Sequence, residues 1–441
     1  MSLEKICCSA NADRVCESSL SLSQAIIEKC AILKLPTYIH GFNCNKAFLL
    51  ADINTFTAAG EKVCAVLESS GIAYNKYVFP TGDIEPDEAA VGSAVMNFDK
   101  TCDLIIGIGS GVINDIGKIL ANVTGLPYFI VATAPSMDGY ASASSSMTVA
   151  GLKKSLNSKS ADLIIGDIDI LCQAPVKMML AGLGDMIAKY VSICSWRISN
   201  LVTGEDYCEE IAGLVREALK KCVDNSAGLL CRDEEAVKAI FEGLILCGAA
   251  MKIANTSRPA SGVEHYISHI WDMRGVEFGT PTDFHGVQCA LGTLIAVKLY
   301  EKTLTFIPDE KKALEYAKAF DYHSWCEELR GFLGKGAESM IDSEKKEGKY
   351  DLEKHEKRLL NIICNWDNIK RIVEEELPAY EDLKKLFVRL GLPVQMEEIG
   401  LDEAILTMTV KATKDIRDKY VLSRLLWDLG VIDEIFKEAC I

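Results

Sequence analysis

The amino-acid sequence predicts an α/β domain with a parallel sheet over residues 1–172, followed by an all-α domain over residues 173–441. Before residue 173, short apolar segments alternate with helical segments, which is the pattern of a parallel sheet covered by helices on both faces. After Pro175, long helical patterns follow one another with few strand signals. A chain of 441 residues also exceeds what one hydrophobic core usually supports, so two domains are expected.

The order of the elements follows from the positions of apolar runs, glycines and prolines. The predicted strands cover residues 36–42, 47–52, 72–79, 102–108 and 128–132, and the predicted helices between them cover 55–70, 85–98 and 112–123. Residues 1–35 are expected to be mainly helical, and residues 144–171 to form a hairpin or an extended excursion. The charged segment 335–357 is expected to be solvated or mobile.

The composition excludes several classes of protein. The hydrophobic content of 49% and charged content of 25% are typical of a globular protein. A net charge of −16 argues against a nucleic-acid surface. No apolar run reaches the roughly 18 residues of a membrane span, and the N-terminus lacks the order of a signal peptide. We therefore expect a cytoplasmic protein with no nucleic-acid partner and no membrane span, and its apolar helices favour a homodimer or higher homo-oligomer.

The 17 cysteines are spread over the whole chain and form no CxxC motif. This distribution argues against a zinc ribbon or a redox dithiol. In a cytoplasmic protein the thiols stay reduced, so we interpret them as small apolar core side chains.

A glycine-rich turn at residues 107–111, GIGSG, follows a buried strand and opens a helix. Backbone N–H groups at such a helix start can hold a pyrophosphate, although a tight turn without a ligand is the competing interpretation. Asp52 ends an earlier strand, whereas the ribose-binding acid of an ordinary dinucleotide fold follows the glycines. The pattern thus indicates either no dinucleotide site or a differently connected one. The loop 133–142 follows the next strand, where open α/β sheets bind ligands.

Three of the six histidines, His265, His269 and His285, lie in one segment that ends in a glycine-rich loop. His265 and His269 are four residues apart, so a helix places them on one face. Asp185 lies in an apolar helical segment, where a buried carboxylate costs several kcal/mol unless it is paired or coordinated. Asp185, His265 and His285 would give a metal three ligands and an open position. The alternatives are scattered histidines, and an Asp185 that faces solvent or pairs with Lys189.

Five motifs occur in an order that resembles a known family: GIGSGVINDIGK, TAPSMDGYAS, AGLGDMIAK, SGVEHYISHIWD and FHGVQCALGT. They resemble the sn-glycerol-1-phosphate dehydrogenases, within the wider group of glycerol dehydrogenase, iron-type alcohol dehydrogenases and dehydroquinate synthase. The resemblance is strongest over residues 40–300. It implies a dehydroquinate synthase-like fold, with a dinucleotide-binding domain followed by a helical metal- and substrate-binding domain.

The resemblance also implies roles for individual residues. It implies metal ligation by Asp185, His265 and His285, and it places Asp138, Asp185 and His269 around the substrate as catalytic residues. Lys189 stands where the iron-type alcohol dehydrogenases have a further histidine, which favours three ligands. The implied cofactor contacts are Asp52, Gly109, Ser110, Gly111, Val112, Ile113, Thr133, Ala134, Pro135, Ser136 and Ser142, with Ser110 replacing a usual glycine.

The activity implied by the resemblance is the reversible, NAD(P)H-linked reduction of dihydroxyacetone phosphate to glycerol 1-phosphate, a step of phospholipid biosynthesis. The alternative is a glycerol dehydrogenase that acts on free glycerol. The cofactors would be NAD(H) or NADP(H) and one divalent metal per subunit, zinc or nickel, or else iron. An acidic protein that binds a phosphorylated substrate needs local positive charge, for which Arg258, Lys189 and His269 are candidates. The competing interpretation is that Arg258 caps or pairs at a helix end.

Overall fold

The computed structural model describes residues 23–149 and 152–436, which form two compact units. The sheet unit comprises residues up to 186 together with 213–257, and the helical unit comprises 187–212 together with 258–436. The chain therefore enters each unit more than once, whereas the sequence predicts a single division near residue 173. Among the described residues, no helix combines the length and apolar character that crossing a membrane requires.

The element order agrees with an α/β region followed by a helical region. The strands are β1 Gln24–Glu28, β2 Lys46–Asp52, β3 Ala73–Phe79, β4 Leu104–Gly109, β5 Tyr128–Ala132, β6 Ser144–Val149, β7 Leu152–Asn157 and β8 Leu163–Asp167. The helices are α1 Leu35–Gly41, α2 Ile53–Thr55, α3 Glu61–Ser69, α4 Glu88–Met96, α5 Gly111–Thr124, α6 Ile168–Leu171, α7 Val176–Ile187, α8 Lys189–Thr203, α9 Glu209–Asn225, α10 Glu234–Ala254, α11 Val263–Phe278, α12 His285–Thr303, α13 Glu310–Ala319, α14 Tyr322–Leu333, α15 Gly336–Glu347, α16 Leu352–Cys364, α17 Trp366–Glu376, α18 Tyr380–Leu390, α19 Leu406–Ala412 and α20 Leu422–Asp428.

Six parallel strands form the main sheet in the order β1-β8-β5-β4-β2-β3. β4, β5 and β8 are buried along their whole length, as expected for strands with both faces covered. The chain runs outward from β2 to β3 and then returns to β4 on the other side of β2. The order therefore reverses between β2 and β4, and open α/β sheets bind ligands beyond the carboxyl ends of the strands at such a point.

The four predicted strands at 47–52, 72–79, 102–108 and 128–132 are confirmed as β2 to β5. The strand predicted at 36–42 is wrong, and the predictions for 1–35 and 144–171 agree with the structure only in part. Residues 36–42 lie mostly in helix α1, because Pro36 fits a first turn and Leu35 and Ile39 bury the same face. Within 1–35, residues 24–28 form edge strand β1, while residues 1–22 lie outside the described part. The 144–171 segment contains the expected hairpin β6–β7, but β8 joins the main sheet.

Helix α10 explains why residues 213–257 belong to the sheet unit. The Phe241 ring lies so close to Gly166 of β8 that a Cβ on Gly166 would be 2.3 Å from a ring carbon. Its ring also packs edge-on against Tyr140, with the centroids 5.3 Å apart. A Cβ at Gly248 would lie 2.7 Å from the carbonyl oxygen of Asp138. α10 thus supports the loop that follows β5.

The segment 335–357, predicted to be solvated or mobile, is instead helical in the helical unit. It covers α15 and the first turns of α16. Met340 and Ile341 belong to a buried cluster that includes Trp325 and Leu329. Most of the charged side chains lie outside the buried face, so the apolar residues at helical spacing decide the structure.

Close packing of α11 against α12 places the histidine segment. A Cβ at Gly292 of α12 would lie 2.7 Å from the carbonyl oxygen of Glu264 in α11. The nearest atoms are backbone atoms, so no side-chain rotation can make room. Only glycine at this position allows the two helices to approach as they do.

We expect Gly292→Ala to destabilise the protein by about 1–3 kcal/mol, because the added methyl group forces the two backbones apart. Gly331→Ala in α14 is the matched control, since nothing lies within 4 Å of a Cβ there. That control should leave the thermal midpoint unchanged or raise it, because alanine is the better helix former. Equal midpoints for the two variants in a thermal denaturation experiment would contradict the packing argument.

Candidate functional site

In the sheet unit, the glycine turn lies at the carboxyl end of β4, beside the end of β2. Ser110 precedes α5, and its side chain makes no capping hydrogen bond to the helix. A Cβ at Gly109 would lie 2.6 Å from the side chain of Ile113, so only glycine fits there. Ile113 is buried, and only its backbone can face a ligand. The N-terminus of this 14-residue helix thus lies at the point where the strand order reverses.

Asp52 ends β2 at the same edge of the sheet and has a local role that the sequence analysis did not predict. Its Oδ1 accepts hydrogen bonds from the N–H groups of Asn54 and Thr55, at 2.8 and 2.9 Å. Asp52 is therefore the N-cap of α2. Among the described residues, no hydrogen bond reaches its Oδ2. The capped carboxylate keeps one oxygen for a ligand.

The loop 133–142 is tied to α5 by buried side chains of the GIGSGVINDIGK motif. Lys118 Nζ donates to the carbonyl oxygen of Gly139 at 3.1 Å and to Ser142 Oγ at 3.2 Å. Asn114 donates its side-chain amide to the same carbonyl oxygen at 3.1 Å. The Ser142 hydroxyl also donates within the loop, to Gly139 O at 3.1 Å. Lys118 and Ser142 thus fix the loop, and Thr133 and Ser136 are buried in it.

Asp185 is fully buried in α7, so the alternative that it faces solvent is wrong. Its Oδ2 accepts the backbone N–H of Asp138 at 2.9 Å. The helix reaches the loop closely, because a Cβ at Gly182 would lie 1.9 Å from the carbonyl oxygen of Pro135. The predicted substrate residues Asp138 and Asp185 are therefore in direct contact within the sheet unit.

In the helical unit, α11 and α12 bring the three predicted histidines together. His265 and His269 lie one turn apart on α11, and His285 begins α12. The ring centroids of His265 and His285 are 5.1 Å apart, and those of His269 and His285 are 5.6 Å apart with stacked rings. The interpretation of the histidines as scattered is therefore wrong.

Hydrogen bonds orient the two predicted ligand histidines through Nδ1. His265 Nδ1 lies 2.8 Å from Glu264 Oε1, and His285 Nδ1 lies 3.1 Å from Ser268 Oγ. A histidine held through Nδ1 binds a metal through Nε2, and such outer partners fix the tautomer. The Gln288 amide in turn donates to Ser268 Oγ at 3.1 Å and to Asp272 at 2.8 Å. This is the arrangement of neighbours found around metal-binding histidines.

Cys289, which the sequence alone indicates only as a core residue, lies among these side chains. It follows His285 by one turn of α12 and is fully buried. Burial opposes ionisation of its thiol, yet His265 and His285 together lower its pKa. The ligand atoms of His265, His285 and Cys289 lie within 4.8 Å of one another, as do those of His269, Asp272 and His285. The His-x3-Cys spacing at 285–289 is a signal that could have found it.

The donor set fits a divalent metal. Two imidazoles, a thiol and nearby carboxylates are ligands that suit zinc, nickel or iron. Glu264 Oε2 and Gln288 Oε1 are buried beside the cluster and have no hydrogen-bond partner among the described residues. Unsatisfied buried polar atoms are rare in folded proteins and often mark a site for an ion or water.

The Arg258 guanidinium is engaged by other protein groups, so the expectation that it binds the substrate phosphate is wrong. It is 1% exposed and donates to both carboxylate oxygens of Glu205, at 2.6 and 2.5 Å. It also donates to the carbonyl oxygen of Tyr420 at 2.9 Å. The competing interpretation, a paired arginine, is the one the structure shows.

Two lysines point their ammonium groups to the segment that enters α11. Lys189 Nζ donates to Ala260 O at 3.1 Å, and Lys419 Nζ donates to Ser261 O at 3.3 Å. Desolvation lowers the pKa of Lys419 to about 7, and the charges of Arg258 and Arg417 act in the same direction. Two ammonium groups thus lie beside the segment that leads into α11, shortly before His265.

The chain matches known proteins over most of its length. The family model for iron-containing alcohol dehydrogenase matches residues 26–175. Glycerol-1-phosphate dehydrogenase [NAD(P)+] of Bacillus licheniformis is 27% identical over 95% of this chain and 93% of its own length. The Bacillus velezensis protein of that name is 32% identical over 68% of this chain and 78% of its own length.

Solved structures show the same fold. A probable glycerol dehydrogenase from Sinorhizobium meliloti superposes with a TM-score of 0.61 at 17% identity, covering 95% of this chain and 97% of the other. Glycerol dehydrogenase from Schizosaccharomyces pombe gives a TM-score of 0.61 at 16% identity, with 95% and 90% covered. From the sequence relatives, the chain belongs to the glycerol-1-phosphate dehydrogenase family, whose fold it shares with the glycerol dehydrogenases.

Proposed function

We propose that the protein is a glycerol-1-phosphate dehydrogenase, which reversibly reduces dihydroxyacetone phosphate with NADH or NADPH. The observation that carries the proposal is the pair His265 and His285, each held through Nδ1 by its own partner. Relatives named glycerol-1-phosphate dehydrogenase [NAD(P)+] at up to 95% coverage of this chain support the choice of substrate. Oxidation of free glycerol is the alternative on the same fold.

His265, His285 and Asp185 are the proposed ligands of one divalent metal. The first two offer imidazole nitrogens, and Asp185 offers a buried carboxylate whose Oδ2 is held by the N–H of Asp138. When bound, the metal supplies Lewis acidity toward the carbonyl oxygen of the substrate. Two imidazoles with a carboxylate are compatible with zinc, nickel or iron.

The proposed cofactor site lies at the carboxyl ends of β2 and β4. The N–H groups at the start of α5 bind the pyrophosphate, and Gly109, Ser110 and Gly111 let the backbone approach it closely. Val112 and Ile113 contribute through their backbone N–H groups, and Asp52 Oδ2 accepts from the adenosine ribose. The further proposed cofactor contacts are residues of the loop that follows β5: Thr133, Ala134, Pro135, Ser136 and Ser142.

The reaction transfers a hydride from nicotinamide C4 to the carbonyl carbon, and the carbonyl oxygen gains a proton. His269 is the proposed proton carrier, because its ring stacks on His285 one turn from His265. Asp138 orients a substrate hydroxyl, since its backbone is fixed by Asp185. The protein thus supplies position and a proton, while the nicotinamide supplies the electrons.

Lys189 and Lys419 are the proposed partners of the substrate phosphate. Both ammonium groups lie on the chain that leads into α11, whereas the Arg258 guanidinium is engaged by Glu205. A phosphate dianion favours fixed positive charge and also favours a helix N-terminus. Burial is the largest cause of the lowered pKa of Lys419, and a bound dianion would favour the charged form of its ammonium group.

We expect His265→Ala, His285→Ala and Asp185→Asn each to reduce NADH oxidation below about a tenth of the wild-type rate. Each removes a ligand, and even partners outside the ligand shell account for about 10–100-fold in metal affinity or activity. Bound metal, measured by mass spectrometry, should fall in parallel while circular dichroism stays unchanged. His323→Ala is the control, because that histidine is exposed on α14. A ligand variant that stays active with its metal bound would refute the assignment.

We expect NADH to be used more efficiently than NADPH, because the Asp52 carboxylate accepts from a 2′-hydroxyl and repels a 2′-phosphate. Asp52→Asn keeps a capping side chain but removes the negative charge. The repulsion between a carboxylate and a like charge 4 Å away is worth about 1–4 kcal/mol. The variant should therefore gain NADPH efficiency relative to NADH by roughly fivefold or more. Asp87→Asn, at the N-cap of α4, is the matched control and should leave the ratio unchanged. An unchanged ratio in Asp52→Asn would exclude the ribose contact.

We expect Lys419→Met to raise the KM for dihydroxyacetone phosphate while barely changing turnover of unphosphorylated dihydroxyacetone. A charge-assisted hydrogen bond is worth about 1.5–3 kcal/mol, so the loss should be roughly tenfold or more. Lys345→Met, an exposed lysine of α15, is the control. Equal losses for both substrates would exclude a phosphate contact. A wild-type protein that uses both substrates equally well would favour the free-glycerol alternative.

A further inference from the structure

Cys289 has an environment that a core cysteine does not require. Its Sγ lies 3.5 Å from His285 Nε2 and 3.9 Å from His285 Nδ1. His285 Nδ1 is already engaged at 3.1 Å by Ser268. The sulfur is therefore nearer to Nε2 than to Nδ1. Because Ser268 occupies Nδ1, Nε2 is the nitrogen that His285 would offer to a metal.

The helices determine this placement. His285 and Cys289 are four residues apart and face the same side of α12. His265 and His269 are likewise four apart on α11, and the approach of the helices at Gly292 brings the two pairs together. Two imidazoles and one thiol, with ligand atoms within 4.8 Å of one another, form a compact set of donors.

We propose that the Cys289 thiolate is a further direct ligand of the divalent metal that His265, His285 and Asp185 are proposed to bind. The thiol loses its proton to solvent when the metal binds, as any cysteine ligand does. A sulfur ligand selects soft or borderline metals such as zinc over hard ones such as magnesium. The proposal rests on the metal site of the proposed function and deepens it, because it specifies the class of metal.

Cobalt(II) replaces zinc as a spectroscopic probe in the whole protein. Co²⁺-loaded wild type should show an intense near-ultraviolet band of thiolate-to-cobalt charge transfer, and Cys289→Ser and Cys289→Val should lose it. The weaker visible bands should remain, because both histidines are still present. Cys326→Ala is the matched control, a buried cysteine of the helical unit on α14, and should keep the charge-transfer band.

Zinc affinity gives a second measurement. Since partners outside the ligand shell already account for about 10–100-fold in affinity, loss of a sulfur ligand should weaken zinc binding at least about 100-fold. Magnesium binding should change far less. Cys289→Val retains an apolar side chain at this buried position, and circular dichroism shows whether each variant has folded.

A wild-type protein without the charge-transfer band, or a band that survives in folded Cys289→Val, would overturn the proposal. Absence of the sulfur ligand is distinguishable from failure of the proposed function. A protein that reduces dihydroxyacetone phosphate without the band keeps its activity assignment and loses the sulfur ligand. A protein with the band and no such activity keeps the metal site and needs another substrate.

Discussion

The close approach of α11 and α12 is the constraint on which the histidine cluster depends. Gly292 allows the two helix backbones to meet, and only then do the rings of His265 and His285 lie 5.1 Å apart. Each helix contributes residues four apart on its facing side, so one packing contact positions the whole set. A methyl group at this point would change the geometry of every proposed ligand in the helical unit.

Buried polar groups orient the imidazole rings of the histidine cluster. Glu264 and Ser268 hold the Nδ1 atoms, and Gln288 links Ser268 to Asp272. A buried polar network of this kind is costly unless its members are satisfied, which makes its arrangement specific. The sheet unit uses the same principle, because Lys118 and Asn114 fix the loop after β5 through one carbonyl oxygen.

The parallel sheet and the helical region were predictable because strands buried on both faces read as unbroken apolar runs, as in β4 and β5. The histidine cluster was predictable from helical spacing.

Arg258 was assigned wrongly to the phosphate, because its partner Glu205 lies 53 positions away and no local pattern indicates the pair. Cys289 was overlooked because a cysteine in an apolar helix resembles a core residue. His285 on the same helix gives it one histidine neighbour, and the packing of α11 adds His265. The strand predicted at 36–42 failed because seven residues are too few to separate helical from strand periodicity.

The central claim is that this chain reduces dihydroxyacetone phosphate only with a divalent metal at the histidine cluster. The most direct measurement is NADH oxidation with dihydroxyacetone phosphate by protein stripped with a chelator and then titrated with zinc or nickel. We expect no turnover in the stripped protein and a linear recovery that saturates at one metal ion per chain. Full turnover in protein shown to contain no metal would contradict the claim.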